Sequence, residues 1–167
     1  SILSLLRHSS GLPEYLSASP DEPVPDNRSN FMTRYAGLTP AFDEGAGWMY
    51  TNTNYILLGM LIAQVSGHNY ADALQKLFGQ IGCEGATVAS PSWARQANEN
   101  ESHTISRDLD SARREVIGDG DVCLTPAGAL IWLEQMIDGG LLDTQHQSLM
   151  FTAGPLATGR PSGYACG

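Results

Sequence analysis

A mainly α fold with little strand is what this 167-residue sequence predicts, on three observations. Residues 55–65 space Ile56, Leu57, Met60, Leu61 and Val65 along one helical face. Residues 70–78 do the same with Tyr70, Ala73, Leu74, Leu77 and Phe78. Thr125-Pro126 is a strong helix start, because threonine caps and proline suits the first helical position. Five to seven helices are expected in a single domain.

In chain order, residues 2–7 form a short apolar helix that Ser9-Ser10-Gly11 terminates, with Pro13 beyond as a stop signal. Residues 17–29 are a turn-rich loop holding Pro20, Pro23 and Pro25 among acidic residues, and 30–35 suit a short helix. The stretch 40–47 is a loop that delivers Trp48 and Tyr50 to a cleft. Thr53 or Asn52 caps the helix that follows, and Gly67 closes it. Asn69 caps the next one. Residues 82–121 are polar with few periodic apolar positions, a loop with at most short strands, and Arg113-Arg114 within it is a solvated pair. The helix opened by Thr125 carries Ala129, Leu130, Leu133, Met136 and Ile137 on one face and ends at Gly139-Gly140. Asp143 caps the last helix, which runs to about Met150. Residues 161–167 read as the lead-in to a strand.

Composition narrows the function. Hydrophobic residues make up 42%, enough for a real core in one domain. A count of 18 Gly and 9 Pro marks many turns, consistent with short helices on long connections. The formal charge of −9 argues against binding a phosphate backbone, which needs clustered Lys and Arg. No apolar run is long enough for a transmembrane helix. No signal-peptide pattern opens the sequence, and a segment starting mid-protein would carry none. Cys83, Cys123 and Cys166 are widely spaced with no Cys-x-x-Cys pair; incidental thiols are the plain reading, a disulfide or metal ligation with His the alternatives. No metal or cofactor is expected.

The triplet Tyr50-Thr51-Asn52, just ahead of the 55–65 run, carries the chemistry. It sets a phenol and a carboxamide two residues apart at a helix mouth, where both can face one cleft. A phenol beside a cation can lose its proton and serve as a base, and an amide can donate and accept at once to a substrate's amide. Plainer readings stand beside these: Tyr50 as a packed aromatic with a bonded hydroxyl, Asn52 as a helix cap. His8, at a helix end, reads as a structural imidazole facing the last carbonyls. Ser9 and Ser10 read as turn formers. Gly118-Asp119-Gly120-Asp121 holds a carboxylate pair that suits a cation, while its glycines favour a tight turn at the cleft rim. Trp48 either lines the cleft or fills space between helices.

Leu5-Leu6-Arg7-His8-Ser9-Ser10-Gly11-Leu12-Pro13, the segment from Gly47 through Gly59, Gly118-Asp119-Gly120, the block 141–152 and the closing Gly163-Tyr164-Ala165-Cys166-Gly167 run in one order along the chain. In that order they resemble the serine β-lactamase-related family of class C β-lactamases, DD-peptidases, D-amino-acid peptidases and related esterases. The resemblance implies that Tyr50 is the general acid/base and Asn52 the substrate contact. It implies a helical region inserted into an α/β region, with the site between them. It also suggests a periplasmic or secreted parent.

Two parts of that machinery have no counterpart here. Family members carry a Ser-x-x-Lys motif upstream and a Lys-Thr-Gly or His-x-Gly strand downstream. The single lysine, Lys76, has Ala73 three residues before it, and His8, His68, His103 and His146 stand in the wrong contexts for the strand. The chain therefore reads as a middle fragment, 1–167 forming one incomplete domain: the helical region plus the stub of the returning sheet. Without serine and lysine, Tyr50 has no hydroxyl to serve, so the polypeptide is expected to be inactive alone. The intact parent would act on a small-molecule or peptide acyl donor: a β-lactam, a D-amino-acid peptide or an ester. A non-catalytic binding module that keeps the scaffold is the alternative. A Ser-His-Asp hydrolase built from the chain's own residues finds no Gly-x-Ser-x-Gly elbow. The face that would meet the missing sheet should be apolar and exposed, favouring self-association.

Overall fold

The computed structural model describes residues 1–15, 28–83, 85–88, 118–138 and 140–167, without the side chains of residues 28–30 and 34. Among them lie six helices and a two-stranded sheet: α1 (Ile2–Leu6), α2 (Arg28–Tyr35), α3 (Asn52–Ser66), α4 (Tyr70–Gln80), β1 (Thr87–Val88), β2 (Val122–Cys123), α5 (Pro126–Ile137) and α6 (Thr144–Phe151). The mainly α expectation stands in this coarse form. The strands are antiparallel, Thr87 facing Cys123 and Val88 facing Val122. Of the loop expected over 17–29, residues 17–27 fall outside the described residues, as do Arg113-Arg114, His103 and Gly139, while 28 and 29 open α2 instead.

Helix ends follow local hydrogen-bond chemistry. Ser1 and Ser4 form a reciprocal capping box on α1. Asn69 accepts the Asp72 N–H at 2.9 Å to open α4, and Asp143 accepts the His146 N–H at 2.8 Å to open α6. Thr125 caps α5 by accepting from Gly128, and Gly67 closes α3 in the left-handed region at φ 69°. Two ends differ from expectation. The turn after α1 is taken at His8, with φ 55°, rather than at Ser9-Ser10-Gly11. The α3 cap is Thr51, not Asn52 or Thr53: its backbone is extended and its hydroxyl accepts the Thr53 N–H at 3.3 Å. Thr53 is instead committed elsewhere, donating its hydroxyl to the Pro13 carbonyl at 2.7 Å.

The core forms two clusters. Tyr15, Phe31, Ile56 and Met60 pack together with Tyr35 and Leu57 between α2 and α3. Phe78, Cys83 and Ala86 pack with Leu74, Ile81, Val88, Leu124, Ile131 and Trp132 where α4, the sheet and α5 meet. Burying Phe31 and Ile56 completely contributes about 1.5–3 kcal/mol each. On α3 the N-terminal half is enclosed, Leu58 and Gly59 included, whereas Val65 is 78% exposed. The expected face of α5 is inward only in part: Met136 is buried, but Leu130, Leu133 and Ile137 are exposed, and Ile131 and Trp132 pack against the second cluster instead. The reason is Gly128, whose carbonyl accepts the Cys83 thiol at 3.3 Å and whose missing Cβ leaves room for that sulfur. With apolar residues on both sides, periodicity alone selects no face.

Residues 161–167 do not form a strand. A single bridge pairs Pro155 with Pro161, closed by Leu156 N–H to Arg160 O at 2.8 Å and Ser162 N–H to Gly154 O at 2.9 Å. Proline at both bridge positions removes the donors a longer ladder needs. The Ala157 N–H reaches the Gly45 carbonyl at 2.8 Å, tying this turn to the loop that leads into Trp48.

Gly11 has φ 77°, and a Cβ there would stand 2.0 Å from the Phe42 carbonyl oxygen. Gly11→Ala is expected to destabilise the fold by about 1–3 kcal/mol in urea unfolding, through backbone strain and that clash. Thr51→Ala should lose about 0.5–2 kcal/mol in the same measurement, and Thr51→Ser should recover most of it.

Candidate active site

The N-terminal segment and the loop before α3 are stitched by three backbone bonds. Ala41 N–H donates to Gly11 O and Gly45 N–H to Ser9 O, both at 2.8 Å, and Met49 N–H donates to His8 O at 2.9 Å. This seam carries Trp48 and Tyr50 to the mouth of α3. Tyr50 is 54% exposed, and Thr51 beneath it is fully buried. Asn52 begins the helix, its backbone N–H donating to the Glu14 carboxylate at 2.7 Å. That carboxylate sits where the N-terminal end of α3 is most positive.

His8 lies under the triplet and is fully buried. Its Nδ1 accepts from the Thr51 backbone N–H at 3.2 Å and lies 3.2 Å from the Asn54 Nδ2. The buried Asn54 accepts the Ser10 hydroxyl on its Oδ1 at 2.7 Å, and Ser10 in turn accepts the Leu12 N–H. Four aromatic rings surround the imidazole: Tyr50 with centroids 4.2 Å away, Tyr164 at 4.9 Å edge-on, Tyr55 stacked at 5.2 Å and Trp48 at 6.4 Å. Burial pushes the imidazole pKa below its ordinary value. The structural reading of His8 thus stands with a different contact: the ring turns into the start of α3, not onto the last carbonyls of α1.

The Tyr50 phenol is held above its usual pKa, by burial first and then by Tyr164, Glu14 and Asp119. In this chain it keeps its proton at neutral pH. Such a group can donate a proton; to accept one it needs a cation close by. The 118–121 turn packs against α3. Asp119 accepts the Tyr15 hydroxyl at 2.7 Å and Asp121 accepts the Gly118 N–H at 3.2 Å. Burial raises the Asp121 pKa. A Cβ on Gly118, φ 98°, would meet the Tyr55 carbonyl of α3 at 2.4 Å, so the glycine is required for this close approach. Among the described residues no cluster of three or more His, Cys, Asp or Glu suits a metal ion.

The structure sets the rings of Trp48 and Tyr50 around His8, with Asp119 of the 118–121 turn acting on the Tyr50 phenol and Asn52 two residues on at the first turn of α3. It adds Ser10, Glu14, Asn54 and Tyr164, which residue-by-residue reading missed. Ser10, Asn54 and Tyr164 carried a signal by their places in the Leu5–Pro13, Gly47–Gly59 and Gly163–Gly167 blocks; Glu14 carried none. Cys83 and Cys166 are thiols donating to the carbonyls of Gly128 and Leu149. Arg7 spans to α6, donating to the Leu149 and Thr152 carbonyls at 3.3 and 3.4 Å.

Penicillin-binding protein 4* of Bacillus subtilis (strain 168) is 34% identical over 84 residues, covering 44% of this chain and 18% of that protein. Among solved structures, D-amino acid amidase from Ochrobactrum anthropi SV3, in complex with L-phenylalanine, superposes with a TM-score of 0.63. It is 25% identical and covers 89% of this chain and 45% of its own. A D-stereospecific amidohydrolase from Streptomyces sp. reaches a TM-score of 0.70 at 19% identity, covering 99% of this chain and 55% of its own. A penicillin binding protein from Bacillus halodurans reaches 0.69 at 20% identity, covering 89% and 49%. The chain thus spans about half the length of these solved relatives and less than a fifth of the curated one. The sequence profile described as Beta-lactamase matches residues 1–164, nearly the whole chain. This chain belongs to the Beta-lactamase family.

Proposed function

We propose that this chain is the helical portion of a β-lactamase-like serine hydrolase, with Tyr50 as general acid/base and Asn52 as substrate anchor in the intact enzyme. The observation that carries this reading is the exposed Tyr50 ring seated on buried His8, two residues ahead of Asn52 at the first turn of α3. The substrate class is an amide or ester acyl donor: a β-lactam, a D-amino-acid peptide or an ester. A serine hydroxyl attacks the carbonyl carbon, and its proton passes to a base. The leaving nitrogen or oxygen takes a proton as its bond to the acyl carbon breaks. Water then hydrolyses the acyl-enzyme. The protonated state of Tyr50 fits the second transfer, donation to the leaving group.

The sequence holds no Ser-x-x-Lys, since Ala73 stands three residues before Lys76. A serine hydroxyl is a poor nucleophile without a base to take its proton. The chain by itself is therefore an inactive scaffold in this reading. The same absence favours the second reading, a binding module that keeps the fold without the chemistry. A periplasmic or secreted setting for the parent belongs to the first reading.

The test uses a chromogenic β-lactam, a p-nitrophenyl ester and a D-amino-acid anilide with this chain and with the polypeptide encoded by its full reading frame. The chain alone should form no acyl-enzyme by mass spectrometry. The full-length product should turn over one of these probes, and Tyr50→Phe should lower that rate by about 10²–10⁴-fold. Full turnover by Tyr50→Phe would remove the phenol from the mechanism; an inert full-length product would leave the binding module.

The exposed Leu130, Leu133 and Ile137 on α5 support self-association of the isolated chain. Light scattering at rising concentration should give a mass above that of one chain. Leu130→Glu combined with Leu133→Glu should return it to the monomer. A monomeric mass for the unaltered chain at high concentration would exclude association through this face.

A further inference from the structure

We propose that His8 is a positioning residue: its neutral imidazole fixes the Tyr50-Thr51-Asn52 triplet, and protonation of the ring releases that triplet. The functional weight of this rests on Tyr50 being the acting group, as proposed above; the coupling itself does not.

The geometry dictates the tautomer. A backbone N–H can only donate, so the Nδ1 that receives Thr51 N–H at 3.2 Å carries no proton. The neutral ring then holds its proton on Nε2, which is buried and has no hydrogen-bond partner. The second group on Nδ1, the Asn54 amide, is oriented by the Ser10 hydroxyl on its other end, so its NH₂ is the group facing the ring. A second proton would have to sit on Nδ1. It would displace two donors at once, the Thr51 N–H and the Asn54 Nδ2, leaving both buried and unpaired.

Among the described residues, none facing the ring compensates an added charge by hydrogen bonding. The titratable groups facing it are phenols: Tyr50 from the loop, Tyr55 from α3 and Tyr164 from the C-terminal segment, with the Trp48 indole beside them. Cation–π attraction to these faces offsets only part of the desolvation. The carboxylate of Glu14 is directed at the Asn52 N–H, that of Asp119 at the Tyr15 hydroxyl, and the Arg7 guanidinium at the carbonyls of α6. Burial accordingly lowers the His8 pKa from its ordinary 6.5. A depressed folded value means that the neutral ring's contribution to stability is complete above about pH 6.5 and is lost as pH falls through the folded value.

Backbone conformation supplies the controls. At φ 55° His8 occupies the left-handed region, which asparagine tolerates well. Asparagine also places an oxygen acceptor close to the position of Nδ1 and does not titrate. His8→Asn therefore keeps the acceptor and removes the proton switch, whereas His8→Phe keeps a ring and removes the acceptor.

The experiment is amide hydrogen exchange resolved by NMR on the full chain, read at Thr51 and residues 52–54 and corrected for intrinsic exchange. In the unaltered protein, protection at Thr51 should fall by about tenfold or more between pH 7.5 and pH 5, with imidazole nitrogen shifts marking the Nε2–H tautomer at the upper end. His8→Asn should retain the protection and flatten the profile; His8→Phe should lose it at every pH. A flat profile in the unaltered protein, an Nδ1–H tautomer, or equal loss in His8→Asn and His8→Phe would overturn the proposal. If His8→Phe does not fold, the unaltered protein and His8→Asn decide it between them. These readouts need no substrate, so a full-length Tyr50→Phe enzyme that keeps its turnover would sink the proposed function and leave the His8 coupling standing.

Discussion

The bond from the Thr51 backbone N–H to the imidazole of His8 is the constraint on which the site depends. It joins the end of the first helix to the start of the third. The other contacts arrange themselves around it. The seam of residues 8–11 against 41–49 sets the approach, Asn54 and Ser10 hold the ring in one orientation, and Glu14 occupies the first turn of α3. The left-handed backbone at His8 is what lets the chain leave α1 and present that ring at all. A residue with a β-branched side chain would be strained at this φ.

What the sequence made legible was local. The caps at Asn69, Thr125 and Asp143 and the stop at Gly67 were readable because each is settled by a side chain or a glycine within three residues of the helix end. The cap of α3 was placed one or two residues late, at Asn52 or Thr53, because Thr51, Asn52 and Thr53 all suit the role. The choice is a tertiary one: the buried His8 ring holds the Thr51 N–H, and the Pro13 carbonyl takes the hydroxyls of both Thr51 and Thr53. The inward face of α5 was unreadable for a similar reason. Leu130, Ile131, Trp132 and Leu133 are consecutive and apolar, so no period distinguishes them, and Cys83 against Gly128 decides. Tyr50 and Asn52 could be named from the order of motifs, but the hub beneath them is a tertiary product. A histidine at a helix end gives no sign that four aromatic rings from three distant segments will close on it.

Membership of the Beta-lactamase family and the state of the tyrosine bear on one another. The groups acting on Tyr50 within this chain are a phenol and two carboxylates, and together with burial they raise its pKa. A phenol in that environment is a proton donor. Turning it into a proton acceptor requires positive charge brought to within a few ångströms; the single lysine, Lys76, lies on the exposed side of α4, and the Arg7 guanidinium is turned to the carbonyls of Leu149 and Thr152. Under the proposed function, Tyr50 is the acid and Asn52 the amide that the helical part contributes.

The edge-on docking of Tyr164 against His8 has a consequence for the order of assembly. The two rings are separated by 156 positions in the chain (164 − 8), and the loop bearing Trp48 lies between them in sequence. Helices such as α3 and α4 form from neighbouring residues, whereas closing a loop of that length is slow and entropically late. During translation the aromatic enclosure stays open on one side until residue 164 has left the ribosome. The drying of the imidazole therefore comes after the formation of α3 and α4.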